Sequence, residues 1–156
     1  MAAYRPGTTG TSRMSVVQLL SALVGAVFLL VGVLGFIPGI TTHYGDMEFA
    51  GHTSGAMLFG LFQVSILHNL VHLAFGVAGL ALARTASSAV GFLVGGGIIY
   101  LVLWIYGLSI NHNSSANFIP LNTADDWLHF GLGVGMIGLG VIGWRVRDRQ
   151  VPVAIR

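Results

Sequence analysis

Four apolar stretches, none of them holding a charged side chain, dominate this chain and decide what it can fold into. They run from about Ser15 to Ile37, Phe62 to Ala83, Ala89 to Ile110 and Trp127 to Trp144. A helix rises about 1.5 Å per residue, so about 20 residues cross a hydrocarbon core about 30 Å thick. Barrel strands would alternate with a period of two, and these runs do not. The pattern predicts an all-α fold, a polytopic membrane four-helix bundle. Residues 1–14 and 146–156 are read as tails, and residues 15–145 as a four-transmembrane-helix domain with spans at about 15–37, 62–83, 89–110 and 127–144.

Composition narrows the class further. Hydrophobic residues make up 54% of the chain and charged residues 8%, where a soluble domain carries about 25% charge. An ordinary water-soluble globule, a disordered chain and a nucleic-acid-binding module are therefore excluded. The chain has no cysteine, which removes a disulfide framework, thiolate catalysis and cysteine-ligated metal sites.

The few charges give orientation. Arg5 and Arg13 precede the first stretch, Arg84 lies between the second and third, and Arg145, Arg147, Arg149 and Arg156 follow the fourth. The intervening segments, 38–61 and 111–126, hold Asp46, Glu48, Asp125 and Asp126 but no basic residue. By the positive-inside rule, both termini and the short turn at Arg84 face the cytoplasm. The expected location is the plasma membrane, with Trp127 and Trp144 at the two interfaces of the last span. The first stretch is too long for a signal peptide and lacks a small-x-small site before Pro38, so it is read as a retained span. The mildly apolar piece from Phe49 to Gln63 is expected to form a short helix along the interface.

Glycine is abundant, at 23 residues. Gly76 and Gly79 lie in the second stretch, the pair Gly91 and Gly95 in the third, and Gly131, Gly133 and Gly135 in the fourth. Small residues let helices approach closely where lipid removes any hydrophobic drive to associate. These positions are expected to pack the bundle internally, or to bind a second copy or another membrane protein.

A repeat supplies the most specific signal. Asn69-x-x-His72-x-x-x-Gly76 and Asp126-x-x-His129-x-x-x-Gly133 share one form at a spacing of 57 residues. Each follows an outward-going span, so the chain reads as two helical hairpins in the same orientation, related by a pseudo-two-fold axis along the membrane normal. Residues i and i+3 share a helix face, which makes Asn69 a candidate neighbour of His72 and Asp126 of His129. His68 lies one turn before His72. Together His68, Asn69, His72, Asp126 and His129 form a candidate polar cluster in the outer half of the bundle.

Several purposes suit such a cluster. Intramembrane polar groups pair with one another, so His72 and His129 are expected to join the hairpins by hydrogen bonds, with Asn69 and Asp126 as partners. Alternatively, His72 and His129 are axial ligands of a b-type haem. Zinc or copper at His68, His72 and Asp126 is a further alternative, weakened by the lack of a clear third ligand. Small-solute or proton permeation through His68 or His72 is the last, though no deeper ionisable residue continues a relay. Phosphate loops, Ser-His-Asp sets and H-E-x-x-H patterns are absent from the sequence.

HNLVHLAFGVAGLALAR, the segment Gly97-Ile98-Ile99-Tyr100 and FIPLNTADDWLHFGLGVGMIGLG resemble the domain-of-unknown-function family numbered 4383. The resemblance covers about residues 15–145. Its most specific pieces are Asn69-x-x-His72-x-x-x-Gly76 and Pro120-Leu121-Asn122 leading to Asp126 and Leu128-His129. It implies a small four-span membrane protein of the kind found largely in actinobacteria, and no catalytic residues. The expected function is a non-enzymatic structural or accessory membrane component without cofactor or metal. Its partners are the lipid bilayer and any helix meeting the glycine faces, and no nucleic acid.

Overall fold

Each apolar stretch forms a helix in the computed structural model, which describes residues 14–148. The helices are α1 (Val16–Leu34), α2 (Ile66–Leu82), α3 (Ala86–Ser109) and α4 (Thr123–Asp148). Arg5, Arg13, Arg149 and Arg156, and with them most of both tails, lie outside the described residues. Helices α1, α3 and α4 (over Thr123–Val146) are long and apolar enough to cross a membrane, and α2 is a shorter apolar helix. That length and composition mark a membrane protein. Its surface agrees: Leu19, Leu23, Val27 and Leu30 of α1 and Ile98, Val102 and Ile105 of α3 all point outward. Buried positions on α1 include the small residues Ser21, Gly25 and Gly32. Large apolar side chains outside and small or polar ones inside is the arrangement lipid favours and water does not.

Local chemistry sets the helix ends. The Gln18 side chain accepts a hydrogen bond from the Ser15 backbone N–H at 2.9 Å, closing the first turn of α1. Its amide donates to the carbonyls of Ala83 and Arg84, so the start of α1 also satisfies the end of α2. Ser65 caps α2 by accepting from His68 N–H at 3.1 Å, and Thr85 caps α3 by accepting from Ser88 N–H at 3.2 Å.

The α1–α2 connection departs from expectation. In place of an interfacial helix, residues 41–63 hold a three-stranded antiparallel meander of β1 (Thr41–Thr42), β2 (Met57–Leu58) and β3 (Phe62–Gln63). Leu58 pairs with both Thr41 and Phe62. Phe59 and Gly60 turn the second hairpin at φ 55° and 68°, and Gly51 sits at φ 101°. Left-handed backbone at those positions breaks any helix. Ala56, Leu58 and Val64 are buried against Val31 and Leu34 of α1, so the meander caps one end of the bundle. Because Phe62 and Gln63 belong to β3, α2 starts at Ile66, later than the apolar stretch suggests.

The helices associate as two hairpins, α1 with α2 and α3 with α4, and pack less extensively across the seams between them. Glycine permits the close approach within each. A Cβ on Gly25 would stand 2.9 Å from the Gly76 carbonyl, and one on Gly97 would stand 2.8 Å from the Gly133 carbonyl. Gly76, Gly79 and Gly133 therefore sit where helices approach closely. Gly91, Gly95, Gly131 and Gly135 do not: space is open beside each. Their G-x-x-x-G pairs lie off the face that meets the partner helix and front the seams instead.

Candidate functional site

The capped end of the bundle holds most of the buried polar side chains. His68, Asn69 and His72 of α2 are buried, as are Asp125, Asp126 and His129 of α4. His68 and His72, one turn apart, face each other through their Nε2 atoms at 3.0 Å. His68 Nδ1 lies 3.2 Å from the Pro120 carbonyl in the loop before α4. A carbonyl only accepts, so His68 carries its hydrogen on Nδ1. With both rings neutral, His68 Nε2 is then the acceptor and His72 Nε2 the donor. His72 Nδ1 is left as a bare, buried acceptor, and neither it nor His129 Nδ1 has a partner among the described residues.

Each histidine rests on an aromatic ring from the first helix of its own hairpin. Phe28 meets His72 edge-on at a centroid distance of 5.6 Å, and Tyr100 meets His129 at 5.2 Å. Phe28 and Tyr100 stack on each other at 5.4 Å and 17°. An aromatic pair thus joins the hairpins, where the sequence predicts hydrogen bonds from His72 and His129 with Asn69 and Asp126 as partners.

The motif's Asn and Asp do not pair with the histidines three residues on. Asn69 packs its amide against Gly35, the C-cap of α1, and Asp126 packs its carboxylate against Gly107 of α3. A side chain at either glycine would collide with them. Asn69 Nδ2 reaches Met47 Sδ at 4.0 Å, and Asp126 meets His112 Nε2 at 3.2 Å. The i,i+3 argument placed these residues on the right face but gave them the wrong neighbours. Each points across its hairpin to the first helix, where the glycine leaves room.

Cross-hairpin ties complete the site. His68 donates to Pro120 in the second hairpin's loop, while Asp125 Oδ2 accepts from the Gln63 N–H in the first hairpin's loop at 3.0 Å. These partners exchange under the motif's own spacing: Pro120 is 57 residues after Gln63, and Asp125 is 57 after His68. The caps correspond too, since Asn122 Oδ1 accepts from Asp125 N–H as Ser65 Oγ does from His68 N–H. The first helices repeat at a spacing of 72: Gly25, Phe28, Leu29 and Gly35 match Gly97, Tyr100, Leu101 and Gly107. The sequence reading noted Gly97 and Tyr100 without seeing their match in α1, which a search for G-x-x-aromatic-Leu would have found.

Two cavities flank the histidines. One opens between α2, α3 and the loop before α4, and the other between α1, the meander and α4. His68, His72 and His129 line both. Among the described residues, no three His, Cys, Asp or Glu side chains are grouped so as to hold a metal ion. For haem, iron ligation through His72 Nε2 would first break the bond to His68. The sites for the haem, metal and permeation readings all fall within this one cluster.

A family model described as "Domain of unknown function (DUF4383)" matches residues 18–142. No curated protein and no solved structure matches the chain.

Proposed function

The chain belongs to the DUF4383 family, and since that membership brings no activity with it, we propose from the residues themselves that this is a non-enzymatic structural or accessory component of the plasma membrane. It is multi-pass, with both termini and the Arg84 turn on the cytoplasmic side and the capped end outside. One observation carries the reading. Two of the buried polar side chains at the capped end tie one hairpin to the other, His68 to Pro120 and Asp125 to Gln63, while Asn69 and Asp126 pack within their own hairpins. Groups used this way fix a structure and leave little for turnover.

The arginine distribution supports the orientation, with Arg84 and Arg145 at the end of the bundle opposite the meander. The test is direct. Purified in mild detergent, the protein is expected to lack a Soret band, and in proteoliposomes to add no proton flux above that of lipid alone. A Soret band lost in both His72→Ala and His129→Ala, or flux that disappears in His68→Ala, would overturn the proposal.

A further inference from the structure

The bare Nδ1 of His72 is the feature that the cross-hairpin ties leave unused. His72 is 8% exposed and His129 4%, and among the described residues neither Nδ1 has a partner. A buried acceptor without a donor is costly, so the site favours whatever supplies a hydrogen. His72 also borders open space. The cavity between α1, the meander and α4 has a volume of about 180 Å³ and is lined by Val31, Val64, His72, Leu128 and His129 among others. That is room for a small polar head group, and a longer molecule needs space beyond it. Beyond it runs an apolar groove along the α1–α4 seam, lined by Leu23, Val27, Leu128, Gly131 and Gly135 and reaching His72. Val31, His72 and Leu128 line both, so chamber and groove adjoin. The absence of a side chain at Gly131 and Gly135 keeps the groove open, which gives those glycines a purpose that helix packing does not.

We propose that this chamber binds an apolar molecule carrying a hydroxyl group, with the hydroxyl donating to His72 Nδ1 and the hydrocarbon body lying in the α1–α4 groove. The chemistry selects the class. A ketone or ester has no hydrogen to give His72, and a carboxylate would bring an unpaired charge into an apolar wall. A hydroxyl donates to His72 and can also accept from His129, whose neutral ring holds one hydrogen on either nitrogen. The inference rests on the membrane reading for the groove's access to lipid, and on the tautomer chain from Pro120 for the acceptor.

The experiment compares 4-hexylphenol with its methyl ether, 4-hexylanisole, on the full chain labelled with 15N-histidine in detergent. Hexylphenol is expected to bind saturably and about tenfold more tightly than the ether, the equivalent of one hydrogen bond. It should also shift the bare-type 15N signal of His72, which the ether leaves in place. Gly135→Leu, filling the groove, is expected to weaken hexylphenol binding at least tenfold, and Gly95→Leu, in the other seam, to leave it unchanged. His72→Phe should abolish the preference between the probes. If that variant does not fold, the wild-type comparison decides alone. Equal affinity for the two probes, or a His72 signal unmoved by hexylphenol, would mean that water alone serves the nitrogen, and would overturn the proposal. A Soret band would strike the accessory reading, whereas equal binding in a colourless preparation would strike only the hydroxyl site.

Discussion

The first hairpin, α1 and α2, and the second, α3 and α4, use the same positions with different side chains. Where the first has Phe28, His68 and Asn69, the second has Tyr100, Asp125 and Asp126. The shared positions are those that set backbone distance: Gly25 and Gly97 against Gly76 and Gly133, with Leu29 and Leu101 beside them. The differing positions carry hydrogen bonds. His68 donates to a carbonyl in the other hairpin's loop, and Asp125 accepts from an N–H in the first hairpin's loop. A donor on one side and an acceptor on the other allow both ties to form. Two carboxylates there would leave the Pro120 carbonyl unmet. Packing is thus repeated, while polarity is divided between the copies.

That comparison can be broken at its glycines, where the largest effects are expected. Gly76→Leu and Gly133→Leu each push a side chain into the neighbouring helix, and each should cost about 3 kcal/mol or more in unfolding from detergent. The two losses should match within about 1 kcal/mol if the hairpins are equivalent. A severe loss in one and none in the other would deny the equivalence.

The ties come next. Asp125→Ala strands the Gln63 and Asn122 N–H groups and should cost about 2 kcal/mol. Asp125→Asn keeps an oxygen and should recover most of it. Equal losses in both variants would show that the carboxylate's charge, rather than its acceptor oxygen, holds the loop.

Asp126→Asn makes the second hairpin copy Asn69 of the first. It removes the charged partner of His112 and should cost about 1 kcal/mol. The smallest effects belong to the seam glycines. Gly91→Ala and Gly131→Ala meet open space, so stability should hold or rise by less than about 1 kcal/mol from helix propensity. A large loss at either would place a helix contact where the bundle shows none.

Much of this was legible in the residues. Four helices were legible because no charged side chain interrupts the apolar runs. The motif around His72 and His129 gave the two-hairpin organisation, and Gly76 and Gly133 their packing role. The rest depended on what lies opposite, which spacing along one helix does not reveal. Asn69 and His72 share a face, yet Asn69 turns to Gly35 because the room is there. The meander escaped because its strands are only two residues long, below any periodic signal. Its turn rests on Phe59, a residue with no turn preference. Gln63 and Pro120 enter through backbone groups, which carry no residue signature at all.

The most direct test of the whole arrangement uses the absence of native cysteine. Single cysteines replace Thr53 in the meander loop, Ser115 in the loop before α4 and Ser87 at the opposite end, all exposed positions. Intact cells are then treated with a membrane-impermeant maleimide. Thr53→Cys and Ser115→Cys should label together, and Ser87→Cys only after permeabilisation. Labelling of Thr53→Cys without Ser115→Cys, or of Ser87→Cys alongside either, would contradict two parallel hairpins capped at a single membrane face.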